Sequence, residues 1–252
     1  MKRTHLILLA VFAFAGLQPH AMAQTFVNLG AASSYAVVAG AAGISNAGTT
    51  TISGDTTAIT GGSFNFLTGA NHGGDSFALA AIAAVRTVYT NAAAQTPITT
   101  TYPAASDLGG LTLGPGIYYD SSSFGITVSP LTLNGGGDPN AVFIFHAGST
   151  LTTSANISLT NSAQAANVFW LVGTSATIGG TSFSGSVLAL ADLTLGAGVT
   201  VNGRLLAPNG AVTLSGNSIT VPTAIPEPAT TALIAAFGAL GLAVWRRRRA
   251  AS

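Results

Sequence analysis

Threonine is the residue that this chain places with the most regularity, flanked on both sides by apolar neighbours. The triplets are Leu111-Thr112-Leu113, Leu131-Thr132-Leu133, Ala176-Thr177-Ile178, Leu193-Thr194-Leu195 and Val212-Thr213-Leu214, with Leu151-Thr152-Thr153 a looser copy. A Thr side chain carries a methyl group beside a hydroxyl that both donates and accepts. A rigid row of them makes many weak contacts at once, which is the chemistry of adsorption rather than of bond breaking. Exposed strand positions favour Thr on propensity alone, so a single Thr carries no message; a column of four or five does.

Residues for covalent or acid–base chemistry are sparse. Between Gln24 and Ala224 stand Arg86 and Arg204 against Asp55, Asp75, Asp107, Asp120, Asp138 and Asp192, a net charge of −4, with no lysine. Nucleic acid is excluded as an expected partner. Cysteine is absent, which removes disulfides, thiolate metal sites and Cys nucleophiles. Polysaccharide cleavage, an activity of some parallel β-helices, needs carboxylates converging on one groove. Here Asp120-Ser121-Ser122 and Asp138-Pro139-Asn140 read as turn chemistry. His72 and His146 have no evident carboxylate or Cys partner at ligand spacing, so neither a metal site nor a cofactor is expected. The chain reads as a non-enzyme. Trp170 sits in a doubly apolar stretch and is assigned to the core, and Phe64 and Phe66 to the cap of one end.

The elements that must position the threonines follow from period. The central threonines 112, 132, 152, 177, 194 and 213 recur at the spacing of a solenoid coil. A second short strand follows within the period, at Ile157-Ser158-Leu159, Phe183-Ser184-Gly185, Val199-Thr200-Val201 and Ile219-Thr220-Val221, alternating apolar and hydroxyl side chains. A third is apolar on both sides, at 141–145, 168–172, 187–190 and 205–207, as strands covered on both faces are. Three strands per coil with Gly and Asn corners predict a triangular parallel β-helix, right-handed by the rule for parallel crossovers. Asp75 to Gln95 is the one convincing helix, with Asp75 or Ser76 as N-cap and Phe77, Ala81, Ala84, Val85, Val88 and Tyr89 at helical spacing. It is expected to lie along the doubly apolar face and bury Phe143, Phe169 or Trp170, Leu188 and Leu205, leaving two Thr/Ser faces in water.

Both ends of the chain carry targeting signals. Lys2 and Arg3, the apolar run 6–17 and Ala21-Met22-Ala23 make residues 1–23 a secretory signal peptide. Residues 24–224 form the expected domain. Beyond it, Pro226-Glu227-Pro228, the uncharged run 229–245 and the cluster Arg246, Arg247, Arg248 and Arg249 resemble the PEP-CTERM sorting signal of Gram-negative bacteria. The run is long enough to cross a membrane, and four arginines hold its end inside. The resemblance implies an exosortase-type partner that cuts near Pro-Glu-Pro, an inner-membrane anchor before processing, and a cell-surface or extracellular destination. A permanent tail anchor is the alternative.

The segment from Val27-Asn28-Leu29-Gly30 to about Val221 resembles the microbial ice-binding-like family. It does so most clearly at Gly137-Asp138-Pro139-Asn140-Ala141-Val142-Phe143-Ile144-Phe145, Gly148-Ser149-Thr150-Leu151-Thr152-Thr153, Asn167-Val168-Phe169-Trp170-Leu171-Val172-Gly173 and Val201-Asn202-Gly203-Arg204. The resemblance implies a mainly β fold, a right-handed discontinuous parallel β-solenoid with one long helix packed along one face. It also implies a flat face bearing a recurrent Thr-(Ala or Gly)-x-(Thr or Asn) pattern, matched here in part by Ala197-Gly198-Val199-Thr200 and Ala47-Gly48-Thr49-Thr50. Thr50, Ser158, Ser184, Thr200 and Thr220, with Thr181 beside Ser184, are the candidate contact residues for an ice surface or ordered water. Thr152, Thr177, Thr194 and Thr213 form a reserve face. A structural or adhesive protein of the cell envelope, meeting exopolysaccharide through the same ladders, is the alternative reading.

Overall fold

The computed structural model describes residues 27–40 and 42–223. The signal peptide at 1–23, the Pro-Glu-Pro segment, the apolar run and the arginine cluster lie outside the described residues. Parallel strands stack into a solenoid with three faces, and each face is a ladder of in-register strands from successive coils.

The helix-covered face runs from one end of the molecule through Thr100–Tyr102, Gly116–Asp120, Phe143–Ala147, Val168–Val172 and the second halves of Ser182–Ala189 and Thr200–Ala207. The next strand is Tyr35–Ala39, from the other end of the sequence, followed by Asp55–Thr56. The N-terminal coils therefore stack on the C-terminal coil, and the solenoid is discontinuous. Side chains of alternate residues divide between two cores. Phe143, Phe145, Trp170, Val187 and Leu205 point inward. Ile144, Phe169, Leu171, Leu188 and Leu206 point outward beneath the helix and meet Ala81, Val85, Val88 and Ala92. Phe169 and Leu188 thus lie where the sequence places them, whereas Phe143, Trp170 and Leu205 belong to the inner core. On a strand apolar on both sides, period alone does not tell which alternate residues face in.

The helix spans Ser76–Ala93, with the Asp75 carboxylate accepting from the N–H groups of Phe77 and Ala78 at its N-terminus. Phe77, expected on the buried stripe, is exposed. Arg86 ties the helix to the coil below through the Pro208 carbonyl at 3.0 Å and Asn209 Oδ1 at 2.9 Å.

The inner core carries an aromatic stack, Tyr118 on Phe145 at 5.0 Å, Phe145 on Trp170 at 4.0 Å and Trp170 against Phe183 at 5.8 Å. Trp170 Nε1 donates to the Ser184 carbonyl at 3.2 Å. Phe64 and Phe66, half-buried on the core, close one end.

Candidate functional site

One water-facing side of the prism is a ladder of short strands. Leu151–Thr153, Ala176–Ile178, Leu193–Leu195 and Val212–Ser215 pair in parallel, placing Thr152, Thr177, Thr194 and Thr213 directly above one another. All four are exposed, and the file continues to Ser45. The flanking aliphatic residues point inward, so each short strand presents a single central hydroxyl. Thr112 and Thr132, which share the same sequence pattern, are not on this side. They belong with Ser158 to a separate sheet of Thr112–Leu113, Leu131–Asn134 and Ile157–Thr160. The recurrence of the triplet therefore merges two faces of the prism.

The second side, the open face, is built differently. The first halves of Ser182–Ala189 and Thr200–Ala207 pair with Ser218–Thr220, then with the second half of Ile44–Ser53, then with Ile59–Thr68. The first four strands each turn two alternate side chains outward, and on Ile59–Thr68 a bulge at Leu67 lies between the two, giving two parallel files. One reads Ser182, Thr200, Ser218, Thr51, Asn65; the other reads Ser184, Asn202, Thr220, Ser53, Thr68. No ionisable side chain stands in either. Neighbours along a file are about 4.8 Å apart and the files about 6.6 Å apart, so the face is a two-dimensional grid of short polar groups.

The residues predicted from sequence distribute unequally over this grid. Thr200 lies in the first file, Ser184 and Thr220 in the second. Thr50 lies on neither: it is fully buried, its hydroxyl donating to Asn46 Oδ1 at 2.8 Å and accepting from the Asn217 N–H at 3.0 Å. Alternation keeps its parity round the corner of strand Ile44–Ser53: Ile44, Thr50 and Ile52 are buried, while Ser45 and Thr51 are turned outward. Ser158 is exposed on the separate three-stranded sheet. Thr181 is exposed at a corner, its hydroxyl held by the Asn156 side chain, which also accepts from the N–H groups of Thr181 and Ser182. Asn156 joins the separate sheet to the grid through side-chain bonds in place of a ladder.

Asn202, Ser182, Ser218, Thr51 and Ser53 were not singled out from sequence; alternation along Thr200-Val201-Asn202 would have found Asn202. The corner after Asn202 explains the Asn-Gly-Arg run. A Cβ on Gly203 would stand 1.8 Å from the Gly185 carbonyl oxygen of the neighbouring coil, so only glycine passes there. Arg204 is then buried, with a pKa lowered to about 10 by desolvation, and donates to the Ser33 carbonyl at 2.8 Å. It ties the returning N-terminal segment to the C-terminal coil. His72 gains two carboxylate neighbours that the sequence reading did not give it, Asp75 at 3.1 Å from Nδ1 and Asp55 at 3.8 Å from Nε2. They approach opposite sides of the ring. No group of three or more metal-ligating side chains occurs among the described residues.

Residues 22–220 match the family model of ice-binding-like proteins, and residues 224–249 match that of the PEP-CTERM protein-sorting motif. The chain is 39% identical to an ice-binding protein of Nostoc sp. (strain HG1), over 99% of this chain and 97% of that one. The crystal structure of an ice binding protein from an Antarctic biological consortium superposes with a TM-score of 0.73 at 38% identity, covering 81% of this chain and 94% of the other. That of the ice-binding protein from the ascomycete Antarctomyces psychrotrophicus also gives 0.73 at 38% identity, covering 79% and 100%. The two cores, the helix laid along one face and the match over nearly the whole described segment lead to one assignment: the chain belongs to the ice-binding-like family.

Proposed function

We propose that this chain is an exported, non-enzymatic ice-binding protein that adsorbs to ice through the open face, with Thr200 and Asn202 near the centre of the contact. The observation that carries this reading is the pair of in-register files. A crystal plane repeats in two directions, so a grid engages it over an area, whereas the single file at Thr152, Thr177, Thr194 and Thr213 engages it along a line. The absence of charge in the files favours a neutral lattice over an ionic ligand. The names of the relatives agree with this choice of ligand. The motif at 224–249 supports handling by an exosortase-type enzyme, and residues 229–245 are taken as a span that holds the precursor in the inner membrane of a Gram-negative bacterium until cleavage.

The test is the shape of ice crystals grown in the purified protein. Faceted growth is expected, and round discs at high protein concentration overturn ice binding. Thr200→Tyr raises a bulky ring in the middle of the grid and is expected to abolish faceting; Thr194→Tyr on the other side is expected to leave it intact. Both positions are exposed, so neither change should move stability by more than about 0.5 kcal/mol. Loss of faceting in Thr194→Tyr alone moves the contact to the single file. Retention on immobilised exopolysaccharide without any effect on ice would favour the matrix-adhesive reading.

A further inference from the structure

The ends of the solenoid, unlike its faces, expose large apolar side chains. The end coil 55–72 carries Leu67, 64% exposed, and beside it the start of the helix carries Phe77 and Leu79, at 67% and 62%. Phe77 lies against His72, ring centroids 5.6 Å apart, and the His72 N–H bonds to the Thr56 carbonyl of the end coil. Leu79 lines a shallow groove with Thr57 and Ala58 of the same coil and Ile82 of the helix. The opposite end also exposes apolar residues, Val128 at 85% above all. Exposure alone does not separate the two ends.

The path of the chain does. The Val221 N–H bonds to the Ser53 carbonyl, and the Gly54 N–H bonds to Thr68 O of the outermost strand. The described chain therefore leaves within two strand spacings, about 10 Å, of the end that carries Leu67, Phe77 and Leu79. Residues 224–228 separate this exit from the apolar run at 229–245 and reach at most about 18 Å even fully extended. The two carboxylates at this end are engaged: Asp75 caps the helix and meets His72, and Asp55 accepts from the Ala70 N–H.

We propose that in the unprocessed precursor this end of the solenoid is seated on the membrane surface, with Leu67, Phe77 and Leu79 in the lipid interface and the stacking axis upright. The proposal rests on reading 229–245 as a membrane span. Seated so, the open face and the Thr file stand as walls perpendicular to the bilayer, clear of lipid before the tail is cut.

The absence of cysteine from the whole chain makes a label unambiguous. Leu67→Cys, Phe77→Cys and Val128→Cys precursors, each carrying an environment-sensitive fluorophore, would be reconstituted into phosphatidylcholine vesicles containing lipids with a nitroxide-labelled acyl chain, and floated. The expected result is flotation of all three, with most of the fluorescence lost at positions 67 and 77 and retained at 128. Flotation with equal quenching at the three positions, or with none, overturns the seating and leaves the span intact. A precursor that fails to float removes the span and the seating together.

Discussion

His146 stands on the helix-covered side of strand Phe143–Ala147, half-buried, with its ring edge-on to Tyr119 at 5.2 Å and to Tyr89 of the helix at 6.1 Å. Burial holds its pKa below the ordinary 6.5, so the folded protein keeps the imidazole neutral while the unfolded chain takes up the proton first. The stability associated with this residue is therefore complete above pH 6.5 and is lost as pH falls below it. Melting temperatures measured from about pH 7.5 to about pH 5, a range above the usual carboxylate titration, should fall less in His146→Gln than in the native protein. Equal slopes would place His146 in a wetter setting than its aromatic neighbours indicate. At this scale legibility depends on corners. Ser184, Thr200 and Thr220 could be placed outward because their strands alternate cleanly. Thr50 matches the family pattern at Ala47-Gly48-Thr49-Thr50, yet alternation back from the buried Ile52 turns Thr50 inward and Thr51 out, so at this corner motif and period disagree and the period decides.

Among the elements, the helix has a task that its composition does not state. The coils formed by residues 35–72 occupy one end of the solenoid and those from residue 100 onward begin at the other, so the chain must return along the whole molecule in a single pass. A helix of 18 residues covers about 27 Å, most of the seven strand steps, about 34 Å, that separate Asp55–Thr56 from Thr100–Tyr102. Alanine at positions 78, 81 and 92, buried against the sheet, lets that pass run close. Leu188 is fully buried between helix and sheet. Leu188→Asp should therefore cost more than about 3 kcal/mol, since an unpaired carboxylate would be buried there, whereas Thr200→Asp on the open face should change stability by about 0.5 kcal/mol or less. Equal denaturation midpoints for the two variants would refute the assignment of the faces. The helix, its N-cap and the covered face were legible because charge, capping and apolar runs mark them. The side of the sheet to which Phe143 or Ile144 belongs was not, since both are apolar.

For the molecule as a whole, the order of coils in space departs from the order in sequence, and no repeat, turn or composition signal places Val37 and Val38 beside Leu205 and Leu206. Discontinuity was available from the family resemblance alone, because pairing between segments so distant in sequence leaves no local trace. Its physical consequence is that the earliest coils are the lid for the latest ones. Tyr35–Ala39 covers the edge of Thr200–Ala207 on one face, while Ile44–Ser53 covers the edges of Val212–Ser215 and Ser218–Thr220 on the other two. Arg204 fixes the joint through the Ser33 carbonyl. A chain starting at residue 73 would keep the helix and every later coil but uncover three parallel strand edges at once, together with the apolar inner core behind them. Exposed edges of that kind recruit further strands, and solenoids depend on their terminal caps for solubility. The expected outcome on a sizing column is loss of the monomer peak in favour of aggregates, with Arg204→Met, which loosens only the joint, remaining monomeric at a lower melting temperature. A soluble monomer from the truncated chain, with its β-sheet circular dichroism intact, would mean that the N-terminal coils decorate a solenoid already complete without them.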